Sequence, residues 1–193
     1  MKTYVLLLGV SMLFLSGCGI QSIPQAKNQV EASVAEVTNQ YKRRADLIPN
    51  LVTVVKGYAK HEQETLEGVV EARAKATSIN LDPTKLDAQT LEKYQQSQGQ
   101  LTQALGKLMV ISENYPNLKA DANFRDLQAQ LEGTENRITI ARQRNIEAIK
   151  AFNDLITVPP TSWTNSLFYK NDKLPQWTVV GAETLQEAPK VEM

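Results

Sequence analysis

The 193 residues carry 21 basic side chains, 21 acidic ones and a single histidine. This balance excludes the bulk positive field with which a domain holds nucleic acid or an anionic lipid surface. The lone cysteine, Cys18, excludes an internal disulfide, so packing alone must hold the fold.

In chain order, Lys2 precedes an uncharged, apolar run over residues 4–15 that ends in Leu15-Ser16-Gly17-Cys18. About a dozen residues cannot span a ~30 Å hydrocarbon core as a helix, and the run has the length of a signal-peptide core instead. A small-residue site followed at once by Cys resembles the lipobox of bacterial lipoproteins. That resemblance implies cleavage between Gly17 and Cys18, thioether lipidation of Cys18 and acylation of the new N-terminus. More than one acyl chain gives a stable anchor, whereas a single chain is marginal. Gly19, where an Asp would retain a lipoprotein, implies the outer membrane in an organism with two membranes. The competing reading is an ordinary secretory signal, or a membrane helix with an incidental Cys. Residues 1–17 are expected to be the signal peptide and 18–24 a lipidated linker closing at Pro24. Loss of residues 1–17 removes one Lys and no acid, leaving a net charge near −1.

Residues 25–157 read as helix. Val30, Val34, Val37, Tyr41, Ile48, Val52, Val55 and Ala59 recur at steps of three, four or seven, which is one helix face. Pro49 lies within this pattern, where it removes a backbone donor and crowds the carbonyl four residues back at a cost of ~3 kcal/mol. The apolar phase continues across it. The pattern therefore predicts a kinked helix rather than a turn, running to about Ile79, and Asn80-Leu81-Asp82-Pro83-Thr84 stops it.

A second helix is expected from about Thr84, with Tyr94, Gln98, Leu101, Leu105, Leu108, Ser112 and Tyr115 on one face and Pro116 ending it. A third begins near residues 117–119. In it Phe124, Leu127, Leu131, Thr134, Ile138, Ala141, Asn145, Ala148, Phe152 and Leu155 keep strict three-four spacing, the pattern of shallow-angle packing. Thr134 and Asn145 are polar positions in that seam, a device that fixes register. Short connections at Pro83 and Pro116 make neighbours antiparallel. Pro159-Pro160 ends the third helix. Residues 158–193 then read as an irregular tail whose Trp163, Phe168, Tyr169 and Trp177 dock on the bundle, with the last ten residues loose.

Several stretches together resemble the LemA family of bacterial envelope proteins. They are Lys42-Arg43-Arg44-Ala45-Asp46-Leu47-Ile48-Pro49-Asn50-Leu51-Val52, Val55-Lys56-Gly57-Tyr58-Ala59-Lys60-His61-Glu62, Glu71-Ala72-Arg73, Tyr115-Pro116-Asn117-Leu118-Lys119, Asn123-Phe124 with Leu127-Gln128, Thr134-Glu135-Asn136-Arg137-Ile138, Phe152-Asn153 and Pro189-Lys190-Val191. The resemblance covers roughly residues 25–191. It implies an antiparallel helical bundle on the extracytoplasmic side of a membrane, and it does not imply an enzyme activity. Two departures stand out. Many relatives carry a true N-terminal membrane helix where this chain has a lipobox, and the family's usual terminal aromatic is replaced by Glu192-Met193.

The residues themselves argue against catalysis. His61-Glu62 suggests a zincin, but the second His that must share the helix face is Thr65. A ferritin-like di-iron site needs two Glu-x-x-His pairs, and Tyr58 stands where the Glu before His61 would be. A lipidated Cys18 is no nucleophile. There is no Gly-x-Ser-x-Gly elbow, phosphate-binding loop or dinucleotide motif. A Ser-His-Asp triad around His61 is the one catalytic arrangement left open. No catalytic residue, metal or cofactor is assigned, and His61 reads as a surface or groove residue.

Arg43, Arg44, Asp46, Asn50, Lys56, His61 and Glu62 form the candidate interaction patch, weighed against a solvated face with weak ion pairs. Glu135, Asn136, Arg137 and Asn145 form a candidate polar network between helices. The expected fold is all-α, an elongated antiparallel bundle of three long helices, or four if the first is divided. The expected function is a non-catalytic, lipid-anchored envelope scaffold or adaptor. It would engage the membrane and an envelope protein, with self-association open and nucleic acid excluded. Regulation of an envelope protease or stress pathway, and a hydrolase using His61, are the alternatives.

Overall fold

The computed structural model describes residues 18–177. The signal segment expected at 1–17, and the tail from 178 with its Pro189-Lys190-Val191, lie outside the described residues. The helices are α1 (Cys18–Tyr58), α2 (Gln63–Ser78), α3 (Ala88–Asn114), α4 (Pro116–Ala120), α5 (Ala122–Thr157) and α6 (Thr161–Thr164), followed by one π-helical turn, Asn165–Tyr169. There is no strand among the described residues, so the fold is the all-α bundle that the periodicity predicts.

The frame is the pair α1 and α5, 41 and 36 residues long, or about 55–60 Å each at ~1.5 Å per residue. Cross-links pair Ser33 with Asn145, Glu36 with Arg144, Arg44 with Glu135, and Tyr58 with Asp121. Each step forward on α1 is thus a step back on α5, and the two run antiparallel in one register throughout. From the far end of α1, α2 turns back along its second half, and α3 returns to that end. The far half is therefore four helices thick. The near half is the α1/α5 pair, covered by Leu81, Leu86, Leu91 and Tyr94 and by Trp177 from the tail.

The apolar seams form two buried clusters. One holds Val30, Val34, Val37, Tyr41, Tyr94, Ile138, Phe152 and Trp177; the other holds Ile48, Leu51, Val55, Leu66, Val69, Leu101, Leu108, Phe124 and Leu131. A polar layer around Arg44 lies between them.

Three boundaries differ from the expected ones. First, α1 begins at Cys18, so residues 18–24 are helix and not a linker. Pro24 is accommodated because the carbonyl it orphans, Ile20 O, accepts a hydrogen bond from the Tyr169 hydroxyl at 2.6 Å. Second, the helix runs unbroken through Pro49 and reverses instead at residues 59–62, where Glu62 N donates to Ala59 O at 3.2 Å. The apolar phase hid this turn, because Ala59 in the reversal and Leu66, Val69 and Ala76 on α2 continue it and face the same core. Third, α3 starts at Ala88, where the Asp87 carboxylate caps Thr90 N at 2.7 Å. A short α4 precedes α5, which Asp121 caps at Phe124 N.

The described part of the tail, residues 158–177, is more ordered than expected. Asn153 donates to Leu174 O and accepts from Leu174 N, each at 2.9 Å, as a strand neighbour would. Trp177 follows this clasp into the core. Lys170, with φ 53°, takes the left-handed conformation that releases the chain from the π turn, its N–H donating to Asn165 O at 2.7 Å.

Candidate functional site

The waist of the rod is built from four polar side chains on three helices. Arg44 (α1) is 1% exposed. Its Nη1 donates to Glu135 Oε1 (α5) at 2.7 Å and to Thr102 Oγ1 (α3) at 3.0 Å. Its Nη2 donates to Gln98 Oε1 at 2.6 Å. Gln98 in turn donates to Ala76 O at the end of α2, at 3.0 Å. One guanidinium thereby ties all four long elements at a single level. Its plane lies 5.0 Å from the centre of the Tyr41 ring.

Toward the near end, Asn145 is fully buried on α5. It donates to Ser33 Oγ at 2.8 Å and accepts from the Trp177 indole N–H. Trp177 stacks on Tyr41 and meets Tyr94 edge-on, with the Arg142 guanidinium 5.1 Å from its ring centre. Burial pushes the hydroxyl pKa values of Tyr41 and Tyr94 up; at Tyr41 the nearby Arg142 and Arg44 charges partly offset it. Both phenols therefore stay protonated. The cleft over this layer, about 420 Å³, is lined by Arg44, Gln98, Thr102 and Glu135, which engage one another, and by Arg142, whose buried Nε has no partner among the described residues.

The second feature is a groove of about 750 Å³ between α1 and α2 in the far half of the rod. Val52, Leu66, Val70 and Ala74 supply its apolar lining. Lys56 and Lys60 stand on the α1 side, and Glu67 and Glu71 on the α2 side. The relative position of its walls depends on Arg73. Pro49 orphans the carbonyl of Ala45, and Arg73 Nε donates to that oxygen at 2.8 Å. The proline that crowds α1 thus supplies the point at which α2 is fastened.

The residues expected to form one patch are dispersed. Arg43, Asp46 and Asn50 are exposed along α1, and Lys56 lines the groove. His61 is exposed at the reversal, beside Glu62, which accepts from the Tyr115 hydroxyl at 3.2 Å. Arg44 is not on the surface with them: its position three residues after Tyr41 turns it into the seam. Of the expected polar network, Glu135 and Asn145 bridge helices, whereas Asn136 and Arg137 face solvent because they fall out of the seam phase. Sequence reasoning missed Thr102 at the waist and Arg73 at the groove, and it placed Arg44 in a surface patch and Gln98 in a seam without joining the two. The signal at the waist was phase: Gln98 is a polar seam position, and the seven-residue step from Tyr41 to Ile48 skips Arg44.

Among the described residues, no three His, Cys, Asp or Glu side chains converge on a metal position, and no helix is long and apolar enough to cross a membrane. The family model described as the LemA family matches residues 33–193. A relative named Protein LemA, from Metamycoplasma hominis, is 26% identical over 147 residues. The aligned part takes in 76% of this chain and 62% of that relative.

Proposed function

The chain belongs to the LemA family, and from that premise we propose that it is a non-catalytic scaffold or adaptor, held by a lipid on Cys18 to the extracytoplasmic face of a bacterial envelope membrane. The outer membrane is its place in an organism with two membranes. The observation that carries the reading is the groove between α1 and α2. It lies in the half of the rod away from Cys18, open, apolar along its floor, and walled by cations on one side and anions on the other. Its occupant is an amphipathic helix of an envelope protein, apolar toward Val52, Leu66 and Val70. Acidic residues of that helix would lie along Lys56 and Lys60, and basic residues along Glu67 and Glu71. At the waist Arg44, Gln98, Thr102 and Glu135 hydrogen-bond one another, which supports a structural and not a catalytic role for them.

The test is a photo-crosslinking residue placed at Val70 in intact cells, with Ile140, an exposed apolar position on α5, as control. The expected result is one envelope protein captured from Val70 and not from Ile140, through a helical peptide of that charge pattern, and lost in Cys18→Ala. Equal capture from both positions, or turnover of a substrate that His61→Ala abolishes, refutes it.

A further inference from the structure

The end of the rod that carries Cys18 also carries an apolar surface. Trp163, Leu167 and Phe168 are 65%, 74% and 70% exposed, and Val158 and Ile20 beside them are also exposed. The remaining exposed large apolar residues among the described ones, Tyr58, Val70, Val110 and Ile140, are scattered along the rod. The hairpin bearing the aromatics is fixed, not loose. Tyr169 bonds the Ile20 carbonyl at 2.6 Å, Thr161 Oγ1 donates to Leu155 O at 2.6 Å, and Asn165 and Asn171 bond each other's side chain and backbone. Nor is there a spacer between anchor and rod. Helix α1 starts at Cys18, so the pinned carbonyl of Ile20 lies about 3 Å along the axis from it at ~1.5 Å per residue.

From this placement we propose that Trp163, Leu167 and Phe168 form a membrane-seated foot that enters the acyl boundary of the bilayer beside the anchor. This rests on the anchored reading above. A chain tethered through Cys18 with no linker must bring this end to the lipid surface, and exposed Trp and Phe side chains favour that interface. A lipid tether alone would leave the rod free to pivot. A foot beside the tether gives two points of contact and holds the rod away from the surface, with the groove presented outward.

The test uses the full chain made in cells with its anchor and reconstituted into phosphatidylethanolamine–phosphatidylglycerol vesicles with brominated acyl chains. The chain has two tryptophans, Trp163 and Trp177, and Trp177 is buried. Bromine quenches an indole seated ~5–10 Å into the boundary. The expected result is that bromination removes about a third or more of the wild-type emission, and that Trp163→Phe, at an exposed position, abolishes the loss. Chain that floats with the vesicles but is not quenched overturns the foot while leaving the anchor standing. Absence of quenching with a dimer crosslinked through position 163 overturns it in favour of a second copy. Failure to float overturns both the foot and the anchor.

Discussion

Replacing Arg44 by Met keeps an unbranched stem of similar reach and removes the guanidinium from the waist. The consequences can be sized from its partners. Gln98 Oε1 is buried and loses its donor at 2.6 Å; an acceptor left so costs ~1–3 kcal/mol. The contact with the Tyr41 face, at 5.0 Å, is worth ~1 kcal/mol. Breaking a fully buried ion pair costs ~3–5 kcal/mol, but the Glu135 side chain is 44% exposed and turns to water, so this loss shrinks to ~1 kcal/mol. Against these stands relief of the buried charge itself, whose Nε has no partner. The balance is a destabilisation of about 2–4 kcal/mol. Equilibrium urea unfolding followed by circular dichroism should show the midpoint falling by ~1–2 M at unchanged slope, for a slope of ~2 kcal/mol per M. Glu135→Gln, which keeps an acceptor, should cost less than ~1 kcal/mol. An Arg44→Met chain within ~0.5 kcal/mol of wild type, or more stable, would mean that desolvation cancels the ion layer. The account of the waist as a clamp would then be wrong.

Other perturbations have equally definite outcomes. Asn145→Leu strands the Trp177 indole N–H, while Ser33 Oγ loses one donor but keeps its own bond to Val30 O; the change should cost ~1–3 kcal/mol and shift Trp177 emission to the red. Asn153→Ala removes both bonds to the Leu174 backbone, so limited proteolysis should cut near residue 174 faster while the bundle's unfolding midpoint moves little. Arg73→Met should cost ~1–2 kcal/mol in the wild-type background but far less with Pro49→Ala, whose restored N–H serves the same Ala45 carbonyl; additive costs in a double-mutant cycle would refute the link. Asp87 and Asp121 have carboxyl pKa values held below the ordinary 3.8, Asp87 by Thr90 and Asp121 by Phe124 N–H and the Tyr58 hydroxyl. The unfolded chain therefore binds protons first on acidification. The stability these caps contribute is present above pH 3.8 and is lost as pH falls through the lower folded values. Asp87→Asn should flatten that acid limb.

How much of this was legible depended on whether phase alone decided the outcome. In α5 the predicted seam is the buried face from Phe124 to Phe152, with Leu127 and Leu155 half-buried and Ile149 and Ile156 added to it, because an amphipathic helix has only one way to hide such a stripe. Phase failed at the reversal after Tyr58, since α1 and α2 serve the same core and no proline or glycine pair marks the turn. It was overruled at Arg44, where a cation in the seam read as a surface residue. Burial there depends on Gln98, Thr102 and Glu135, which lie 54, 58 and 91 residues away. The docking of Trp177 was legible as an aromatic in a tail, but its partner was not. Asn145 had been recognised as a polar seam residue without a mate, and the two observations belonged to one hydrogen bond.

The two prolines of α1 give the rod a logic that neither its helices nor its seams contain. A 41-residue helix with Pro24 and Pro49 inside it has two orphaned carbonyls, and each is satisfied from a different part of the chain. Tyr169 reaches Ile20 from the foot, and Arg73 reaches Ala45 from α2. The positions that weaken α1 as an isolated helix are therefore those that fasten the aromatic end beside Cys18 and set α2 at the spacing that leaves the groove open. Between them, Arg44 fixes the level at which α1, α3 and α5 meet. Arg73→Met should accordingly reduce capture of a partner from Val70 while leaving every apolar side chain of the groove in place. A loss of that kind would trace recognition to the spacing of two helices and not to any one contact within the groove.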